Sequence, residues 1–463
     1  MAKASKAEAK ASDASFEALE TINKFLNEKD LRAEYLSDVV DFPYWIDSGN
    51  IALNLINTGE YDKCLPGSKI IDLAALTGAG KSLLAGVFAK DVLKKGGIVY
   101  VVDTENAWNK NFAYKVIGDK ALADKIQINK SLDTVERLEV FLNRILEISA
   151  NQKWKIPILV VVDSISNLST IHEMELIKQE KNDKKDMFKA GLIKRMFRVI
   201  TRKMIHGNLT IITTNHLIAN IGVMYGPSHT TGGGSGVPYM ADVRMHLLSP
   251  QKIEDPSSNH PIGVRVHPKT TKNRIVGEGR NCYTNLLFTG GIDRYSGLFE
   301  LLFNYGVVKL YDGAKEVKTT AENGLKEVKK GYRVHFDVPE SWYKEVQKKH
   351  PEYLAKKFKK QKEEDAELLS VYSKKTKKKA TEEESKEDVE LIENQLMFNI
   401  TEVSKFVNEL GEEKVLKYWQ DAYNEVIDET EKPADFIFAD STGDSSDDAD
   451  IALAEDMLKQ LEK

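Results

Sequence analysis

The chain has 463 residues, 41% of them hydrophobic and 30% charged, enough apolar content for a sizeable core and enough length for about two to four domains. No apolar run approaches the ~20 residues that span a bilayer, no apolar block follows the lysines of MAKASKAEAKASDASFEALE, and Cys64 and Cys282 alone make neither a disulfide framework nor a structural zinc site. These features exclude a membrane-spanning or disulfide-scaffold protein and predict a soluble one in a reducing compartment, the cytoplasm. The net charge of −5 is unevenly spread: residues 1–314 carry 40 basic and 35 acidic side chains, residues 315–380 carry 19 and 11, and residues 381–463 carry 7 and 25. That distribution fits a polyanion-binding surface with a tethered acidic competitor, or simply two solvated charged stretches.

In chain order, Phe16, Leu19, Ile22 and Leu26 recur at helical spacing behind the candidate caps Ser12, Asp13 and Ser15. From Lys69 the pattern becomes short β-rich apolar runs, Lys69–Leu76, Ile98–Val102, Ile158–Val162 and Leu209–Thr214. Helix-length segments separate them (Lys81–Lys95, Leu132–Ala150, Phe188–His206). Strands apolar on both faces and alternating with helices predict a mostly parallel α/β sheet. The runs Val243–Leu248, Gly263–His267 and Tyr283–Phe288 follow at shorter spacing and are expected as antiparallel additions. Beyond Tyr311 the composition turns to Lys, Glu and isolated aromatics. Ser373–Asp388 reads as a linker or solvated helix and Asn394–Ile427 as helical. Asp435–Asp450, with six aspartates and no basic residue, reads as disordered. The expected organisation is an N-terminal helical segment (1–45), an α/β core (46–310), a charged, mainly helical region (311–432) and an acidic tail (433–463).

The segment Ala74–Leu84, AALTGAGKSLL, lies between a predicted strand and a predicted helix, the setting of a phosphate-binding P-loop. Backbone N–H groups of Thr77, Gly78, Ala79, Gly80 and Lys81 would form an anion nest at a helix N-terminus. Lys81 would neutralise phosphate, and the Ser82 hydroxyl would ligate Mg2+. Ala75 occupies the position where the usual pattern has its first glycine. Asp163 ends the apolar strand ILVVVDS, the place for a carboxylate that holds magnesium through water. IVYVVDTEN ends in Asp103 and Glu105, either of which could align an attacking water; Glu105, beyond the strand end, is better placed.

The stretch Asn215–Leu247, NHLIANIGVMYGPSHTTGGGSGVPYMADVRMHL, resembles the second DNA-binding loop and following strand of the RecA recombinases, in IGVMYG, TTGG and ADVR. VVVDSISNL, MFRVITRKMIHGNLTIITTNH, TTKNRI, FTGGIDRYSGLFELLFNYGVV and SGNIALN extend the likeness, which is closest to the phage UvsX branch and runs from about Asn23 to Val308. The resemblance implies a RecA-like P-loop ATPase core using ATP and Mg2+, with Lys81 and Ser82 on phosphate and magnesium, Asp163 on magnesium and Glu105 activating water. It implies adenine stacking on Phe112, where the family has tyrosine. Asn215 and His216 fall at the γ-phosphate sensor, where bacterial members have glutamine at the second position. Lys272 and Arg274 match two lysines that reach the neighbouring protomer's ATP site; cations at i and i+2 on a strand point the same way.

For DNA, the likeness and the residue chemistry agree. Gly222, Gly226, Gly232, Gly233, Gly234 and Gly236 give a loop whose amides can reach phosphates, joined by Thr230 and Thr231. Ile221, Val223, Met224 and Tyr225 supply wedges between bases. A first loop within Ile171–Asp186 brings Lys178, Lys181, Lys184 and Lys185. Arg195, Arg198 and Arg202 on the next helix either extend that basic track or solvate its exposed face. The expectation is a DNA-dependent ATPase that forms a helical filament on single-stranded DNA and pairs it with homologous duplex, in recombination, repair and recombination-dependent replication. Its further partners would be a single-stranded-DNA-binding protein and a recombination mediator. A hexameric RecA-like replicative helicase motor and a non-catalytic single-stranded-DNA-binding mediator on an ATPase core are the alternatives.

Overall fold

The computed structural model describes residues 18–26, 42–179, 188–219, 229–231, 236–313, 315–317, 328–357 and 390–431. Residues 18–26 form a helix (α1) whose Leu19, Ile22 and Phe25 are exposed. Short strands β1 (Trp45–Ile46) and β2 (Leu65–Pro66) pair around α2 (Ile51–Thr58), which Asn50 caps at its N-terminus and Gly59, in the left-handed region, closes.

The core alternates as the hydrophobic runs predict: β3 (Ile70–Ala75), α3 (Lys81–Lys94), β4 (Ile98–Asp103), α4 (Lys110–Ile117), α5 (Lys120–Ala123), β5 (Gln127–Asn129), α6 (Val135–Asn151), β6 (Ile158–Asp163), α7 (Ile171–Lys178), α8 (Phe188–Met204) and β7 (Leu209–Ala219). The side-chain period of two splits each strand between two apolar layers. Leu73, Val101 and Val161 face the layer that includes α3, while Ile70, Val160 and Ile211 face α6 and α8. β8 (His229–Thr231) turns back on the end of β7, and α9 (Gly236–Met240) leads into β9 (Val243–Glu254). β10 (Pro261–Asn273), β11 (Thr284–Leu287) and β12 (Gly291–Ile292) complete a sheet of order β12-β11-β10-β9-β3-β7-β6-β4-β5. The expected antiparallel additions are therefore only partly so. β9 joins parallel to β3, Ile71 opposite Val243, because the chain crosses back through α9 before re-entering; antiparallel pairing starts at β10.

The largest departure from the sequence reading lies beyond α10 (Leu298–Asn304). β13 (Lys309–Asp312), β14 (Lys315–Glu316), β15 (Arg333–Asp337), β16 (Leu354–Lys357) and β17 (Glu390–Asn399) form a five-stranded antiparallel sheet in the order β14-β13-β15-β17-β16. The sequence predicts a mainly helical region over 311–432, with Asn394–Ile427 helical. Instead Leu396 and Phe398 alternate inward on β17, and helix begins only at α12 (Val403–Leu410) and α13 (Glu412–Glu431). With α11 (Glu340–Lys349) these helices cover an aromatic centre in which Phe336 meets Trp342, Phe398, Phe406 and Trp419 edge-on. That centre is continuous with the α3 side of the main core. α13 fastens it: Gln420 bonds the Tyr61 N–H and Glu60, Asn424 donates to the Gly59 carbonyl, and Arg294 pairs with Glu412. Ser373–Asp388 and the acidic tail lie outside the described residues. Among those described, no helix is long and apolar enough to cross a membrane.

Candidate nucleotide site at the sheet edge

The loops leaving β3 and β4, His216 within β7, Val264 of β10 and Phe288 after β11 line a cavity of about 440 Å³ at the ends of β3 and β4. Its floor is the phosphate loop. Ala75 is still in β3, hydrogen-bonded opposite His216 and Leu247, so the position needs no positive φ and an alanine fits. The left-handed conformations fall at Gly78 (φ 79°) and Gly80 (φ 85°); a Cβ on Gly80 would also stand 2.7 Å from a Leu286 methyl. Thr77, Gly78, Gly80, Lys81 and Ser82 line the cavity; Ala79 turns its side chain into the core. Lys81 Nζ donates to the carbonyls of Ala75 (3.2 Å) and Leu76 (3.1 Å). Burial pushes the ammonium down from its ordinary pKa, opposed by Glu105 and Asp163.

Glu105 stands on the loop after β4, and Asp103 shapes that loop from beneath by accepting the N–H groups of Ala107 and Trp108. Across the cavity His216 Nε2 lies 2.9 Å from Glu105 Oε1. Burial raises the Glu105 carboxyl, but hydrogen bonds from Ser164 and His216, with Lys81 nearby, outweigh it and hold the group below the usual carboxylate range. Asn215 does not share the cavity with His216. Successive strand residues face opposite ways, and Asn215 is buried on the other side beside Asp72, itself paired with Arg244 and Thr213. The proposed sensor pair is thus corrected to His216 alone on the cavity side.

Asp163 is 1% exposed at the end of β6. Its oxygens accept from the Thr214 hydroxyl (2.5 Å) and the Trp108 indole (2.8 Å). With the Ser82 hydroxyl it offers hard oxygen donors of the kind magnesium prefers, so the residues fit that ion. Phe112 also lines the cavity, together with Phe288, an aromatic that sequence reasoning missed although it begins the quoted FTGG run. Trp108 and Thr214 were also missed, since nothing in the sequence places them around Asp163.

Lys272 and Arg274 are not in this cavity. Lys272 donates to the carbonyls of Pro238 and Tyr239, and Arg274 pairs with Asp242, so both grip the segment joining the glycine-rich loop to β9. Lys178 ends α7; the backbone of Thr230 and Thr231 belongs to β8. Lys181, Lys184, Lys185, Ile221, Gly222, Val223, Met224, Tyr225, Gly226, Gly232, Gly233 and Gly234 lie outside the described residues. On the following helix Arg195 is held by Glu139, which ties it to α6.

Sheet order, loop and strand-end carboxylates define a P-loop α/β protein. A family model described as the RecA N-terminal domain matches residues 18–293, more than half of the chain, and the chain belongs to that family. It is 26% identical over 294 residues to Protein RecA of Leptospira meyeri, covering 59% of this chain and 71% of the relative. Protein RecA of Bacteroides thetaiotaomicron is 28% identical over 265 residues (57% and 74%), and that of Porphyromonas gingivalis 27% over 286 residues (59% and 78%).

Proposed function

We propose that this chain is an ATP-dependent homologous DNA recombinase of the UvsX type, polymerising on single-stranded DNA and promoting pairing and strand exchange with duplex. The observation that carries the reading is the convergence of Lys81, Glu105 and His216 on one cavity, with His216 on the strand that runs directly into the glycine-rich segment. In this account the triphosphate sits on the N–H groups of residues 77–81, and Lys81 exchanges its two carbonyl partners for phosphate oxygens. Magnesium bound through Ser82 and Asp163 would supply neutralisation of the phosphate charge. Glu105 takes the proton of the attacking water, its lowered pKa keeping it ionised and available at neutral pH. His216 is shared between Glu105 and the γ-phosphate, so occupancy of the site is transmitted along β7 to the loop that grips DNA. Lys272 and Arg274 act on the neighbouring protomer's phosphates, which makes polymerisation and nucleotide binding interdependent.

The experiment is DNA-stimulated ATP hydrolysis and strand exchange by wild type and Lys81→Ala. Wild type should perform both, with the variant at least about 100-fold slower, on the scale set by removing one preorganised charge donor. Strand separation with fixed polarity by closed rings would instead favour the helicase alternative. Nucleotide-independent binding of single strands would favour the mediator.

A further inference from the structure

Around Asp163 the structure contains a feature that the phosphate-loop chemistry leaves unused. Each carboxylate oxygen is held by a neutral donor from a different element, Oδ1 by Thr214 on β7 and Oδ2 by the indole N–H of Trp108 on the loop after β4. An indole donates but cannot accept and carries no charge. It therefore fixes the carboxylate without forming the ion pair that a lysine or arginine would make, leaving the negative charge free for a cation. Trp108 is 1% exposed and is itself fixed three ways: its backbone N–H donates to the Asp103 carboxylate, its ring tip lies beside Gly86 of α3, and its ring meets Phe112 edge-on at 5.1 Å. Phe112 is in turn a wall of the cavity. One ring thus touches both an aromatic of the cavity wall and the carboxylate at the end of β6.

We propose that Trp108 is a positioning residue for the magnesium carboxylate: it holds Asp163 in its metal-facing orientation and links that orientation to the ring at Phe112. The inference rests on the reading of the cavity as an ATP–magnesium site and deepens it. Groups that orient a metal-binding side chain change metal affinity by roughly 10–100-fold when removed. Loss of the indole N–H alone should act on the magnesium-dependent part of nucleotide binding, not on the phosphate loop or the base contact.

The test is calorimetric titration of ATP into full-length wild type, Trp108→Phe and Thr214→Val, with magnesium varied and in EDTA, after thermal unfolding has shown each variant folded. Trp108→Phe keeps an aromatic ring and removes the donor; Thr214→Val removes the opposite donor without touching the ring. Both should raise the magnesium concentration for half-maximal binding by at least about tenfold and leave affinity in EDTA within about twofold. Phe112→Leu should weaken binding to a similar extent in both conditions. A loss of equal size with and without magnesium in Trp108→Phe would reduce Trp108 to a packing residue, and no change in either condition would overturn the proposal. If Trp108→Phe does not fold, Trp108→Leu, which likewise removes the indole donor, decides by the same criterion. Failure of wild type to bind ATP at all would overturn the ATP reading itself, a result distinguishable from either.

Discussion

The nucleotide edge of the core and the C-terminal unit are assembled from contrasting materials. At the edge, mostly apolar strands carry Asp103 and Asp163 as their last residues and His216 near the end of β7, and Asp72 pairs with Arg244 inside the sheet. The C-terminal unit packs aromatic rings between an antiparallel sheet and three helices, and its buried polar groups are dispersed. Yet the two share one continuous apolar layer, with Trp419 and Tyr423 of α13 in the same cluster as Leu73 and Phe88. The contrast teaches that chemistry is concentrated in one region while the other contributes packing, and that the two should rise or fall together in stability.

The strongest challenge to that view is Phe336→Ala, which empties the aromatic centre. It should cost ~3–5 kcal/mol. Because the layer is shared, calorimetry should show one transition moving down, nucleotide site included. Two separable transitions, with only one shifted, would break the comparison.

A smaller effect concerns pH. Burial, then the charges of Arg333 and Lys309, push the His335 imidazole from 6.5 down to about 4. Its depressed folded pKa means that stability is intact above pH 6.5 and falls as acid protonates the unfolded state preferentially, through about pH 4. The loss should be about 2 kcal/mol once screening of the two cations is allowed for. His335→Phe should flatten the stability curve over that window; an unchanged slope would remove His335 from the account.

The smallest effect tests the phosphate loop itself. Because Ala75 is extended within β3, Ala75→Gly should bring no gain in ATP affinity and cost ~0.5–1 kcal/mol of stability, as glycine does inside a strand. Tighter nucleotide binding by this variant would show that the alanine compromises the loop.

Much of the core was legible in the sequence because its signals are local: β-rich runs, helix-length gaps and a loop whose glycines must adopt positive φ. The direction of β9 was not, since the chain enters it through a five-residue helix that leaves no periodic signal. β17 was read as helix because its inward residues, Leu396 and Phe398, are too few to separate from the amphipathic helices behind it, and its partners β15 and β16 are distant in sequence. Of the site, Lys81, Ser82, Glu105 and His216 were recognisable from motif position. The separation of Asn215 from His216 follows from strand alternation and needed only that rule. The Trp108 and Thr214 contacts to Asp163 join three loops and strands, and no spacing in one dimension encodes them.

The central claim is that an occupied phosphate site governs the grip on unpaired DNA. Its most direct measurement is single-stranded-DNA affinity of the full chain with and without a non-hydrolysable ATP analogue, alongside Lys81→Ala. The account predicts tighter binding with the analogue for wild type and no response for the variant. Equal affinity for wild type in both conditions would contradict it.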